Sequence, residues 1–110
     1  LSMKTKVMHL ANLPLLSPVL VTVDGTDVFL YRRSAEGSGP AGEILAIGNE
    51  CPHQGGNLCD GWIDGDIVTC PLHGWEFDLR TGVCMTIPGE RVPGYRATVE
   101  DGAVYLEPAD

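Results

Sequence analysis

Cys51-Pro52-His53 and Cys70-Pro71-Leu72-His73 each place one thiol and one imidazole in a short segment, with residues 54–69 between them. Two such side chains, one or two residues apart, converge on a metal ion when the backbone turns tightly. Pro52 and Pro71 favour that turn, because each fixes φ and removes a backbone donor. Two thiolates and two imidazoles can enclose one structural zinc, but zinc modules usually join Cys to Cys in one knuckle and His to His further along. Here each knuckle is mixed, which favours a centre that divides the four ligands between two metal ions.

The segments around these knuckles read as strands. Of the four Asp-Gly pairs in the chain, three sit between runs rich in β-branched residues, a strong hairpin signal. Val19-Leu20-Val21-Thr22-Val23 and Thr26-Asp27-Val28-Phe29-Leu30-Tyr31 flank Asp24-Gly25. Trp62-Ile63 and Asp66-Ile67-Val68 flank Asp64-Gly65, and Arg96-Ala97-Thr98-Val99 and Ala103-Val104-Tyr105-Leu106 flank Asp101-Gly102. Ile44-Leu45-Ala46-Ile47 predicts a buried strand leading into the first knuckle. Residues 34–42, rich in Gly, Ser, Ala and Pro with no apolar period, read as an exposed loop. Only residues 10–16 could turn helically, and Pro14 limits them to about one turn. With close-set strands and no amphipathic helix, the class is all-β, built of stacked antiparallel sheets.

Cys-x-His followed by Cys-x-x-His at this separation resembles the signature of the Rieske family. Gly55, Gly56, Gly61, Gly74, Phe77, Gly82 and Pro88 match further family positions, and the resemblance covers roughly residues 43 to 107. It implies the Rieske fold, with a cluster-binding subdomain of about residues 49 to 90 carried at one end, and one 2Fe-2S cluster per chain. Cys51 and Cys70 would bind one iron and His53 and His73 the other. Two thiolates leave the oxidised cluster neutral, whereas four would leave it doubly negative, so an electron is accepted more readily. Rieske centres accordingly lie at roughly −150 to +300 mV, against about −400 mV for plant-type ferredoxins.

High-potential members tie their two cluster loops with a disulfide and add Ser and Tyr hydroxyl donors to sulfur. The corresponding positions here hold Gly56 and Leu72, then Trp75 and Phe77. Fewer donors leave more negative charge unstabilised after reduction, which implies a potential in the lower part of the range. Further implications are a potential that falls at alkaline pH as the histidines ionise, Trp75 and Phe77 packed beneath the loops, and Pro88 in a third loop over the cluster.

At 110 residues the chain reads as one domain, residues 1–110, large enough for a modest core. Leu58-Cys59, Gly74-Trp75 and Gly82-Val83-Cys84 resemble Rieske oxygenases, which carry a further domain with a mononuclear iron on two His and one carboxylate. Only His9 remains here after the four ligands are assigned, so these residues cannot form that second centre. Neither a Ser-His-Asp set nor a phosphate loop is evident. The net charge of −8 argues against nucleic acid and anionic membrane as partners, and suits steering toward a basic face on a redox protein. No run approaches the roughly eighteen apolar residues of a membrane span, and the start lacks a signal-peptide pattern, so the expected location is cytoplasmic. Leu1-Ser2 ahead of Met3 reads as a cloning remnant or a cut within a longer reading frame. Cys59 and Cys84 are expected to be buried, free thiols.

Three functions follow in order. The first is a ferredoxin-like carrier that takes one electron from a flavin-dependent reductase and passes it to a terminal oxygenase or similar enzyme, performing no bond chemistry itself. The second is a small subunit or excised domain of a larger oxidoreductase, such as a nitrite reductase or a ring-hydroxylating oxygenase. The third is a structural zinc module.

Overall fold

Two unbroken apolar runs, residues 28–31 and 44–47, need cover on both faces because side chains alternate along a strand. In a computed structural model, which describes residues 4–34, 37, 39, 41–52 and 55–109, that cover comes from two separate cores. The strands are β1 (Thr5–His9), β2 (Val19–Val23), β3 (Thr26–Arg33), β4 (Glu43–Gly48), β5 (Trp62–Asp64), β6 (Ile67–Thr69), β7 (Glu76–Asp78), β8 (Gly94–Glu100) and β9 (Ala103–Pro108). A six-stranded sheet has the order β1-β9-β8-β4-β3-β2, and β5-β6-β7 form a smaller sheet. Neighbours in both pair antiparallel, as the all-β reading requires. No described helix is long and apolar enough to cross a membrane.

The larger sheet curls until its edge strands β1 and β2 approach each other. Val28, Leu30 and Ala46 point into the curl, where they meet Leu13, Val23, Val104 and Leu106. On the other face of the same two strands, Phe29, Tyr31, Leu45 and Ile47 pack against Val68, Phe77, Leu79 and Val92 from the smaller sheet and its connections. The β3–β4 register sets Phe29 opposite Ile47 and Tyr31 opposite Leu45, so this second surface is continuous. Each fully buried aliphatic or aromatic side chain here contributes on the order of 1.5–3 kcal/mol of transfer free energy. The smaller sheet is thereby fixed to the outside of the larger one.

The hairpins at Asp24-Gly25 and Asp101-Gly102 have positive φ at both central residues, as a type I′ turn demands. The third differs from the sequence reading by one residue. Asp64 pairs with Ile67, so the central pair is Gly65-Asp66, with positive φ at Gly65 alone, the φ pattern of a type II′ turn. Two strands escaped the sequence reading: β1, and the three-residue β7. The helical propensity near Leu10 amounts to one 3-10 turn, Leu10–Asn12. Of the expected 34–42 loop, residues 35, 36, 38 and 40 lie outside the described residues.

That one-residue shift places Asp66 where Arg33 of β3 and Arg80 after β7 both reach it. Arg33 also donates to Glu43 (2.9 Å) and to the Gly65 carbonyl (2.9 Å), and Arg80 binds Glu43 at 2.5 Å. The four side chains close a charge network between the two sheets. The Arg80 and Arg33 guanidinium groups hold the Glu43 carboxyl below its ordinary value, and Arg33 followed by Arg80 does the same for Asp66. A carboxylate with a lowered pKa stabilises the fold above its unfolded-state value and loses that contribution as pH falls through the folded value. Melting temperature is therefore expected to hold steady above about pH 5 and to decline below about pH 4. Arg33 and Glu43 are only 16% and 21% exposed, so Arg33→Ala should cost about 2 kcal/mol in urea unfolding and flatten that acid-side decline.

Candidate metal centre

Each knuckle is a five-residue loop with the same sequence frame, Cys-Pro-x-x-Gly, at residues 51–55 and 70–74. The backbone treats the two alike. The Cys51 carbonyl accepts from the Gly55 N–H at 2.8 Å and the Cys70 carbonyl accepts from the Gly74 N–H at 3.1 Å. One residue further on, the Cys51 N–H donates to the Gly56 carbonyl and the Cys70 N–H to the Trp75 carbonyl, both at 2.8 Å. Gly55 and Gly74 lie at φ 69° and 76°, the left-handed region that glycine enters without penalty. The histidines occupy the third position of one frame and the fourth of the other, which accounts for their unequal spacing from cysteine.

The loops also meet. Cys51 follows β4 and Cys70 follows β6, and both sulfurs sit in the core shared by the two sheets, each residue 1% exposed. A Cβ at Gly56 would lie 2.6 Å from Cys70 Sγ and 3.2 Å from the Leu72 side chain, so the backbone of the first loop rests against the thiol of the second. His73 stands exposed on the solvent side. His53 lies outside the described residues, and among the described residues no three His, Cys, Asp or Glu side chains converge on one point. The donors therefore grade from buried sulfur to surface nitrogen. That gradient fits a 2Fe-2S group with sulfur ligands inward and imidazole ligands outward.

Several supporting residues match the sequence reading, and one group was missed by it. Phe77 is fully buried beneath the loops, while Trp75 is partly buried against the same core. Pro88 is an exposed turn residue, and its neighbour Ile87 is the one that packs on the core holding both cysteines. Cys59 and Cys84 are free thiols; burial pushes the Cys59 thiol up to about 11, with Asp60 and Asp27 adding to the shift, so it is protonated at neutral pH. The overlooked residue is Asn49, 5% exposed. Its Oδ1 accepts from the Cys59 N–H at 3.0 Å and its Nδ2 donates to Asn57 Oδ1 at 2.5 Å. Its own N–H and carbonyl bond the Asp27 carbonyl and the Leu58 N–H. Asn49 thus pins both ends of the first loop to the β2–β3 hairpin, and a lone polar residue closing an apolar strand was the available sequence signal.

Comparisons with known proteins agree with this geometry. The model of the Rieske [2Fe-2S] domain matches residues 3–96. The ferredoxin component of the naphthalene 1,2-dioxygenase system of Pseudomonas putida is 32% identical over 88 residues, covering 79% of this chain and 78% of that protein. The cholesterol 7-desaturase of Hemicentrotus pulcherrimus is 36% identical over 78 residues; the match covers 66% of this chain and spans only 15% of the desaturase. Among solved structures, the ferredoxin of carbazole 1,9a-dioxygenase from Nocardioides aromaticivorans IC177 superimposes with a TM-score of 0.80 at 29% identity, covering 97% of this chain and 99% of that one.

Two variants test the construction of the loops. Gly56→Ala forces a methyl group against Cys70 Sγ, so the purified protein should lose most of its iron and acid-labile sulfide while the far-ultraviolet β signal persists. Asn49→Ala removes the side-chain bonds that tie β4 to Asn57 and the Cys59 N–H and should lower stability by about 1 kcal/mol in urea unfolding, with iron lost earlier than the wild type on heating.

Proposed function

Because the chain belongs to the Rieske [2Fe-2S] domain family, we propose that it is a one-electron carrier, taking an electron from a flavin-dependent reductase and delivering it to a terminal oxygenase or a similar enzyme. The observation that carries this reading is the pair of matched Cys-Pro-x-x-Gly loops, rooted on buried Cys51 and Cys70 with His73 exposed. In this reading Cys51 and Cys70 hold the inner iron and His53 and His73 the outer one. The group, when bound, supplies reversible one-electron exchange, and no bond chemistry is assigned to the chain itself. The apolar packing of Phe77, Leu58 and Val68 keeps water from the sulfur side. The imidazole side faces the partner, giving a short path for the electron. The relatives' names support the choice of partners: ferredoxin components of dioxygenase systems work beside other components of those systems. A single domain with its cluster-bearing part at about residues 49 to 90, and a cytoplasmic location, accompany this reading.

A second reading keeps electron transfer but makes the chain a Rieske domain of a larger oxidoreductase. The match to a short part of the cholesterol 7-desaturase favours it. A longer native reading frame, or a catalytic subunit that co-purifies, would select it over the free carrier.

Metal analysis and electron paramagnetic resonance of the dithionite-reduced protein during a redox titration test the proposal. A reduced 2Fe-2S signal with low average g and a midpoint in the lower half of the Rieske range, roughly −150 to +75 mV, is expected. Stoichiometric zinc with no signal would leave only a structural metal module. His73→Cys adds negative charge at the outer iron and should lower the midpoint or cost the cluster; an assembled variant with an unchanged or higher midpoint would overturn the charge argument.

A further inference from the structure

The smaller sheet has a second face that the metal centre does not use. Its register sets Trp62 opposite Thr69 and Thr69 opposite Glu76, and Met85 extends the row by donating its N–H to the Glu76 carbonyl at 2.7 Å. The next row, Ile63, Val68, Phe77 and Cys84, turns toward the core. Beyond it, Asp64, Ile67 and Asp78 return to the outer face, with Val83 bonded to Asp78. The outer rows leave Trp62 64% exposed, Met85 58% and Val83 42%. An indole held out on a short, hydrogen-bonded strand costs little to order on binding, and Trp is the side chain most concentrated among interface anchors. Exposed apolar groups gathered on one face, rimmed by charge, mark an interaction site more often than a plain surface.

Charge selects the occupant. Between Arg33 and Arg80 the sequence contains no Lys or Arg, yet Glu50, Asp60, Asp64, Asp66, Glu76 and Asp78 all fall in that stretch; on its Val83 side the face also meets exposed Arg91, the bridge partner of Val83, and the carboxylates outweigh it. Asp66 is matched by the two arginines, whereas Asp64, two residues along the strand from Trp62, and Glu76, between Thr69 and Met85 in the row, are exposed. A second copy of this chain, or an anionic lipid surface, would meet this rim with like charge. A protein surface that sets Lys and Arg among apolar recesses complements it.

We propose that the outer face of β5-β6-β7, with Trp62 and Met85 at the two ends of a row that carries Glu76 between them and with Asp64 on the Trp62 strand, docks such a basic protein partner. Thr69 directly precedes Cys70 and Glu76 directly follows Trp75, so the partner sits against the flank of the second loop. The proposal rests on the carrier reading for the identity of that partner as a redox protein, and adds that contact extends down the side of the cluster-bearing sheet.

The test is a titration of the ¹⁵N-labelled holoprotein with cytochrome c, a basic redox protein whose apolar haem edge is ringed by lysines, at low ionic strength. The largest amide shifts are expected at residues 62–64, 67–69 and 83–85. Trp62→Ala should weaken binding about tenfold, with Met85→Ala as the second variant on the same row, while Leu16→Ala has no effect. Glu76→Gln should reduce the salt dependence, and none of these changes should move the midpoint potential. Shifts confined to Gly55, Leu72 and Gly74 at the tip, with Trp62→Ala and Met85→Ala both silent, would overturn the proposal. The two failures separate cleanly: a zinc-loaded protein that still binds through Trp62 retains the face and removes the carrier reading, and a redox-active protein indifferent to both variants does the reverse.

Discussion

Two thiols buried in one apolar core must be held with the polar backbone around them still paired. The chain meets that constraint with its own backbone. In each Cys-Pro-x-x-Gly loop the cysteine carbonyl and N–H are satisfied by the backbone of Gly55 and Gly56, or of Gly74 and Trp75, so burying the cysteine leaves its own peptide groups paired. The turn requires a left-handed residue at its fifth position, which Gly55 and Gly74 supply. The close contact of Gly56 with Cys70 Sγ then requires a residue without a side chain. Much of the surrounding structure follows from keeping those two loops at that separation: β4 and β6 deliver the cysteines, Phe77 and Val68 fill the space below them, and the arginine–carboxylate network ties the sheets together at the β5–β6 turn.

The sequence was most legible where one residue type has one strong conformational meaning. Asp24-Gly25 and Asp101-Gly102 form the expected turns, and the strands beside them begin and end within a few residues of where β-branching suggested. Asp64-Gly65 misled by one residue because Gly65 can serve as either member of a two-residue turn, and the choice was made by Arg33 and Arg80 drawing Asp66 into the network, a tertiary contact. β1 was missed because Thr5-Lys6-Val7-Met8-His9 pairs at an edge with a register shift between Lys6 and Met8, which breaks the alternation that would have revealed it. β7 is only three residues long and carries little periodicity.

Around the candidate metal centre, the two Cys-Pro turns were readable, and the fold class with them. The supporting shell was not. Asn49 gains its role from Asn57 and Cys59 on one turn and Asp27 on β3, so its place at the end of an apolar strand marks it as unusual without saying what it binds. The outer face of β5-β6-β7 was equally hidden: Trp62 and Met85 are distant in sequence and share a row only through the pairing of intervening strands.

The division of the interior into two cores has a consequence for cooperativity. Cys51 and Cys70 belong to one, while the other, formed by Leu13, Val23, Val28, Leu30, Ala46, Val104 and Leu106, contains neither. β3 and β4 are the wall between them. The chain is thus built as two coupled folding units of unequal dependence on the metal. On this division, removal of iron and sulfide would loosen the loops and the three-stranded sheet first and leave the curled sheet as a template, so that reloading would be a local closure onto a surface already in place rather than a second folding of the whole chain.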